Sequence, residues 1–340
     1  MGGPGGSKGT AKRCSEAIRT VGPTLRRKMD RRQLLKGAMT GVLTLWASPL
    51  ARGAQQPPQA AAANGVRRLT DRLFVVDGGG TNVVAFSTGD GLFLVDSGVP
   101  GYGDKLVAAL KGVPGGTSRV TTLFNTHHHL DQTGNNETFS AAGAKIMSQD
   151  RTRQWMANQY WIPEESRYEK ARPRAAWPTE TFFNNESMKA GGEQIDFGYL
   201  VAAHTGGDAY VYFKDSNVLA VGDVASPVKD PELDWITGAW IGGRVSAMDL
   251  LLRLSNEKTI IVPGAGPVMT QAQFKEEREL MEIVRQRLFK QVRQGDGPRD
   301  MLEGGVLNGL SRTWKDPYKF LYAALKGLWG NHNKLDPDVV

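Results

Sequence analysis

The chain of 340 residues predicts an α/β (α+β) fold, and three observations carry that prediction. Short β-rich runs recur as far as Val262, a tight turn joins two of them, and an amphipathic helix follows from Thr270. The first runs are Leu73–Val76, Asn82–Phe86 and Leu92–Val95, with the Gly89-Asp90-Gly91 turn between the last two. They read as antiparallel strands with a hairpin. A short helix near 103–111 leads to an apolar-rich strand, Val120–Phe124. Further strands are expected at Tyr199–Ala203, Tyr210–Phe213, Val218–Val221 and Thr259–Val262. Thr270 and Gln273 make a capping-box signal, and Phe274, Met281, Val284, Leu288 and Val292 follow near one helical face until Gly295.

The segment 158–185 has no clear period and carries Tyr160, Trp161, Tyr168, Trp177, Phe182 and Phe183 among prolines and charges. It reads as an ordered insertion that either roofs a pocket or packs its aromatics on the body. The tail aromatics Trp314, Tyr318, Phe320, Tyr322 and Trp329 pack on the body or across a homodimer. No internal repeat is present.

The formal charge of +7 is unevenly placed. Residues 1–53 hold eleven Lys/Arg against two Asp/Glu, which leaves 54–340 at −2. A nearly neutral body excludes a basic nucleic-acid footprint. The leader contains Asp30-Arg31-Arg32-Gln33-Leu34-Leu35-Lys36, which resembles the twin-arginine export motif of bacterial proteins. The apolar stretch Gly37 to Leu50 is too short to span a bilayer comfortably, and Ala51-Arg52-Gly53 offers small residues for cleavage. The expectation is a signal region over 1–53, a linker over 54–66, periplasmic export and no stable membrane insertion after cleavage. The only cysteine, Cys14, lies in the leader, so the mature body has no disulfide and no thiolate ligand.

The chemistry concentrates at Thr126-His127-His128-His129-Leu130-Asp131-Gln132, which holds three of the five histidines. In an extended segment His127, His129 and Asp131 would point the same way, making a seat for zinc or iron. Other strands end on polar residues in the same manner: Asp96, His204 and Asp223.

These pieces together resemble the metallo-β-lactamase-fold hydrolase superfamily over roughly residues 67–270. The matching motifs are Leu-Val-Asp96-Ser-Gly, Thr-His127-x-His129-x-Asp131 followed by Thr-Gly-Asn, and Ala-His204-Thr-Gly-Gly-Asp. Asp223 after a strand and Val-Pro-Gly-Ala-Gly-Pro at 262–267 complete the series in order. The resemblance implies an αββα sandwich with a metal site at one edge, here with a C-terminal helical extension over 271–340. It implies a first site formed by His127, His129 and His204, Asp223 able to bridge, and Asp131 orienting the attacking water. In such enzymes a metal-bound hydroxide attacks a carbonyl, phosphoryl or sulfuryl centre.

Two departures alter that expectation. Gln132 stands where the family usually has histidine, and Ala265 stands where Pro-Gly-His-Gly is usual. Alanine cannot bind metal and an amide suits zinc poorly. One zinc is therefore expected, with iron as the other candidate. His128 and Asp96 are expected to support the ligands from behind, and Gln132 to sit beside them. The implied function is hydrolysis of a small-molecule ester, thioester, lactone or lactam, with Asp131 handling the proton. Two alternatives stay open: a non-catalytic metal- or ligand-binding protein with a degenerate site, and a mononuclear iron oxygenase acting on sulfur compounds.

Overall fold

The computed structural model describes Gly2, residues 65–114 and residues 119–331. The twin-arginine motif, its apolar run, Cys14 and the linker up to residue 64 lie outside the described residues. No described helix is long and apolar enough to cross a membrane.

The described residues from 65 onward begin with β1 (Val66–Arg68), β2 (Leu73–Asp77), β3 (Asn82–Ser87) and β4 (Leu92–Val95), then α1 (Gly103–Leu110) and β5 (Val120–Asn125). Next come α2 (Leu130–Thr133), α3 (Asn136–Ala141), β6 (Lys145–Gln149) and α4 (Asp150–Ala157). The insertion carries β7 (Tyr160–Ile162), β8 (Arg167–Glu169) and β9 (Glu180–Phe182). Then follow β10 (Asn185–Ala190), β11 (Glu193–Tyr199), β12 (Ala209–Phe213), β13 (Val218–Gly222), α5 (Ile241–Leu254) and β14 (Ile260–Pro263). The helices α6 (Gln271–Val292), α7 (Pro298–Glu303) and α8 (Pro317–Gly330) are the last of the described elements.

Two sheets stack with helices outside each. One has the order β1-β2-β3-β4-β5-β6-β9 and the other β10-β11-β12-β13-β14. The layering follows from the two-residue strand period. In β4, Phe93 and Val95 enter the core between the sheets, while Leu92 and Leu94 face α1 and α3. In β13, Val218 and Ala220 join the core between the sheets, while Leu219 and Val221 pack beneath α5, α6 and α8. Phe213 anchors the middle, with ring centroids 5.4 Å from Phe86 and 5.9 Å from Phe93. Helix α6 starts on the capping box of Thr270 and Gln273. The result is the expected αββα sandwich with a helical extension.

Two expectations need correction. The strand expected at Tyr199–Ala203 ends at Tyr199, and residues 200–203 form a turn. Its pleat is carried upstream, where Ile195 and Phe197 point into the core between the sheets. Leu200 and Ala203 are apolar because the turn lies buried against the helical layer. The run 126–131 is not extended either: it bends after Asn125, and Leu130–Thr133 is a helical turn.

Parallel pairing of β4 with β5 and of β13 with β14 brings their carboxyl ends to the same edge of the sandwich. Open sheets of this kind place ligand sites at that end. The sheets are stitched together there. Asn82 donates from its side chain to Pro263 O at 2.9 Å, and Ala209 N donates to Thr126 O at 2.8 Å.

Candidate metal centre

Three imidazoles converge at this edge, and each has one nitrogen tied to a fixed partner. His127 follows β5, and its Nδ1 lies 3.1 Å from Thr126 Oγ1. The Thr126 hydroxyl donates to Asp96 Oδ2 at 2.8 Å, and Thr126 N donates to Asp96 Oδ1 at 2.8 Å. The hydroxyl therefore accepts from His127 Nδ1–H, which leaves a lone pair on His127 Nε2. Asp96 reaches this position with φ of 64°, which an aspartate tolerates better than most residues. Burial pushes its carboxyl well above the usual range, against the Thr126 hydrogen bonds.

His129 directs Nε2 at Asp234 Oδ2, 3.0 Å away. His204 places Nδ1 3.0 Å from the carbonyl oxygen of Glu232. The turn carrying His204 is built on Asp208, whose carboxylate accepts from the backbone N–H groups of Ala203, His204 and Thr205. Burial pushes the Asp208 carboxyl up to about 6 despite those donors.

The remaining nitrogens face one another. His129 Nδ1 and His204 Nε2 are 3.0 Å apart, and His127 Nε2 is buried without a hydrogen-bond partner. One ligand atom from each of the three lies within 4.8 Å of the others. Nitrogens sharing a tetrahedral zinc at 2.0–2.1 Å would be about 3.3 Å apart. An orphaned imidazole nitrogen, three converging rings and fixed outer hydrogen bonds fit a metal ion. Burial, then the neighbouring imidazole charges, hold His127 and His204 well below their ordinary range, so both present lone pairs. Burial alone would lower His129, but Asp234 raises it to about 9.

His128 and Asp234 with His129 form a second possible ligand group. In it His129 Nε2 is already occupied by Asp234, while His128 Nε2 lies 3.6 Å from the same carboxylate. His128 stacks on Trp155 with centroids 6.2 Å apart, and burial lowers it to about 3. Neither of its ring nitrogens has a hydrogen-bond partner.

Asp131 and Asp223 stand apart from the three imidazoles. Asp223 Oδ2 is 3.9 Å from His204 Nε2 but 2.5 Å from Lys229 Nζ. Burial would raise its carboxyl, yet His127 and Lys229 bring it below the usual range. Asp131, in the first turn of α2, pairs with Lys229 Nζ at 3.3 Å. Gln132 donates from Nε2 to Asp223 Oδ1 at 3.2 Å and to Gly264 O at 3.0 Å. Backbone geometry makes this packing possible. A Cβ on Gly264 would meet Asp223 Oδ1 at 2.0 Å, and Gly222 takes φ of 54° where Thr126 Oγ1 approaches. Ala265 is buried and offers no donor atom.

A cleft of about 640 Å³ opens over His129 and Asp131. The insertion contributes Tyr160 and Ile162 to its lining, together with Trp235 and, from α8, Tyr322. Trp235 Nε1 donates to Glu164 Oε1 at 3.1 Å and so ties the stretch 228–235 to the insertion. The other insertion aromatics divide: Phe182 is buried in the core, whereas Trp161 and Tyr168 pair with each other near the surface. Sequence reading missed Asp234, Glu232 and Lys229. Asp234 and Lys229 lie in an irregular stretch, 228–235, where nothing periodic marks them, and Glu232 acts through its backbone.

This combination of an αββα sandwich and a histidine cluster at the strand ends defines a class of metal-site proteins. The metallo-beta-lactamase superfamily family model matches residues 76–264, more than half of the chain, and the protein belongs to that superfamily. A metallo-beta-lactamase type 2 from Bacillus cereus is 24% identical over 190 residues, covering 55% of this chain and 68% of its own length. Among solved structures, a metallo-beta-lactamase from Pontibacter korlensis shares 20% identity with a TM-score of 0.51. That match covers 64% of this chain and 98% of the other. The stereoselective inverting sec-alkylsulfatase from Pseudomonas sp. gives a TM-score of 0.57 at 14% identity, covering 80% of this chain and 52% of the other. At these identities the structural likenesses establish the fold.

Proposed function

We propose that this protein is a hydrolase working with one metal ion, zinc, held by His127, His129 and His204. The observation that carries the reading is the convergence of His127 Nε2, His129 Nδ1 and His204 Nε2, while Thr126, Asp234 and the Glu232 carbonyl hold the opposite nitrogens. When bound, the ion supplies Lewis acidity and makes hydroxide available near neutral pH.

The chain's own residues do the rest. Asp234 and the Glu232 carbonyl hold the outer nitrogens of His129 and His204, so that the rings already turn Nδ1 and Nε2 inward. Asp131 lines the cleft and is partly exposed, with Lys229 on its Oδ2, so it can accept the proton lost by the nucleophile. Tyr160, Trp235 and Tyr322 offer apolar faces for the body of a substrate and exclude water from one wall. The substrate class is a small ester, thioester, lactone or lactam. The basic leader with Arg31-Arg32 supports export to the periplasm as part of the same proposal.

The test is hydrolysis of a panel comprising a p-nitrophenyl ester, a thioester, a lactone, a chromogenic β-lactam and a secondary alkyl sulfate. The sulfate is included because a structural neighbour is a sec-alkylsulfatase. Zinc-dependent turnover of at least one member, lost in His127→Ala, is expected. No metal-dependent turnover on any, with His127→Ala indistinguishable from the parent, contradicts the hydrolase reading.

A further inference from the structure

We propose that Lys229 takes the place of a second metal ion: its ammonium, lodged between Asp223 and Asp131, supplies the positive charge there and keeps a second ion out. This rests on the one-metal reading above and deepens it.

Asp223 is 2% exposed, and a carboxylate so buried cannot remain ionised without a cation or strong donors. With Ala265 offering no donor and Gln132 only an amide, the surroundings hold no imidazole set for a second ion. Lys229 fills the need. Its Nζ lies 2.5 Å from Asp223 Oδ2 and 3.3 Å from Asp131 Oδ2, while Gln132 covers the other oxygen of Asp223. One ammonium thus bridges the two carboxylates. An ammonium carries three N–H donors, enough to serve both carboxylates at once.

The backbone around the lysine is held in a manner that a surface residue does not need. Arg312, from the C-terminal extension, donates to the carbonyl oxygens of both Ser226 and Lys229. Ser226 N donates to Glu277 Oε1 of α6 at 2.8 Å. The Asp230 carboxylate accepts from the backbone N–H groups of Lys315 and Asp316, just before α8. The extension therefore fixes the loop that delivers the ammonium. Lys229 is a positioning residue for Asp131 and the charge partner of Asp223.

The experiment titrates metal-free protein with zinc alone and reads zinc bound per chain by calorimetry and mass spectrometry. It uses the parent, the Gln132→His/Ala265→His double variant, and that double variant carrying Lys229→Met, Lys229→Ala or Lys229→Arg. The parent is expected to take one ion. The double variant should take its second ion at least about tenfold more weakly than the same protein with Lys229→Met or Lys229→Ala. Lys229→Arg keeps the charge and should behave as the lysine protein does. Two lysine-free variants guard against one failing to fold. A second ion bound equally well with and without the lysine, or by none of the variants, overturns the proposal while leaving the one-metal reading intact. No zinc in the parent overturns both.

Discussion

His129 Nε2 and Asp234 Oδ2 stand 3.0 Å apart, and this contact turns Nδ1 of the same ring towards His204. A carboxylate behind a ligating imidazole fixes its tautomer and raises its basicity. Asp234→Ala removes both effects. Zinc affinity should fall by about 10–100-fold, measured by competition with a chromophoric chelator. An affinity within about twofold of the parent's would show that Asp234 does not orient the ring.

Asp208 serves a different purpose, since its carboxylate closes the turn that carries His204. Asp208→Ala strands three backbone N–H groups in a buried site. Each stranded donor costs about 1–3 kcal/mol. Urea unfolding of the metal-free protein should show a loss of at least about 3 kcal/mol. A loss below about 1 kcal/mol would mean that the turn is held by something else.

The core between the sheets can be tested without touching the site. Phe213 is fully buried and meets both Phe86 and Phe93. Phe213→Ala should cost about 3–5 kcal/mol in unfolding free energy while zinc per folded chain stays the same. Loss of zinc at unchanged stability would contradict the separation of core from centre.

Tyr160 and Trp235 both line the cleft, and Tyr160 also packs on Trp155 at 5.1 Å between centroids. If these rings hold the substrate's body, Tyr160→Ala should raise KM by about tenfold with kcat within about threefold. Steady-state kinetics on the panel substrate that turns over provides the check. A fall in kcat at unchanged KM would place Tyr160 nearer the reacting atoms than its position suggests.

Much of the sandwich is legible in the chain because a strand buried on both faces reads as a continuous apolar run. Leu92–Val95 and Val218–Gly222 are such runs, and both end on a residue of the centre, Asp96 and Asp223. His127, His129 and His204 are legible because histidines are few, although His204 sits in a turn five residues past the end of β11. The strand β11 is not, because its polar face, with Gln194 and Asp196, dilutes the pattern while the buried turn after it imitates a strand. Asp234 and Lys229 are hidden for another reason. They belong to an irregular loop whose position is set by tertiary hydrogen bonds from Arg312 and from the backbone before α8, more than eighty residues away. No local periodicity encodes such a contact.

The most direct measurement is X-ray anomalous scattering at the zinc edge from crystals of the zinc-loaded protein. One strong peak is expected, within bonding distance of His127 Nε2, His129 Nδ1 and His204 Nε2, with none between Asp131 and Asp223. A peak among His128, His129 and Asp234 instead, two peaks, or no peak near the imidazoles would contradict the single three-histidine centre.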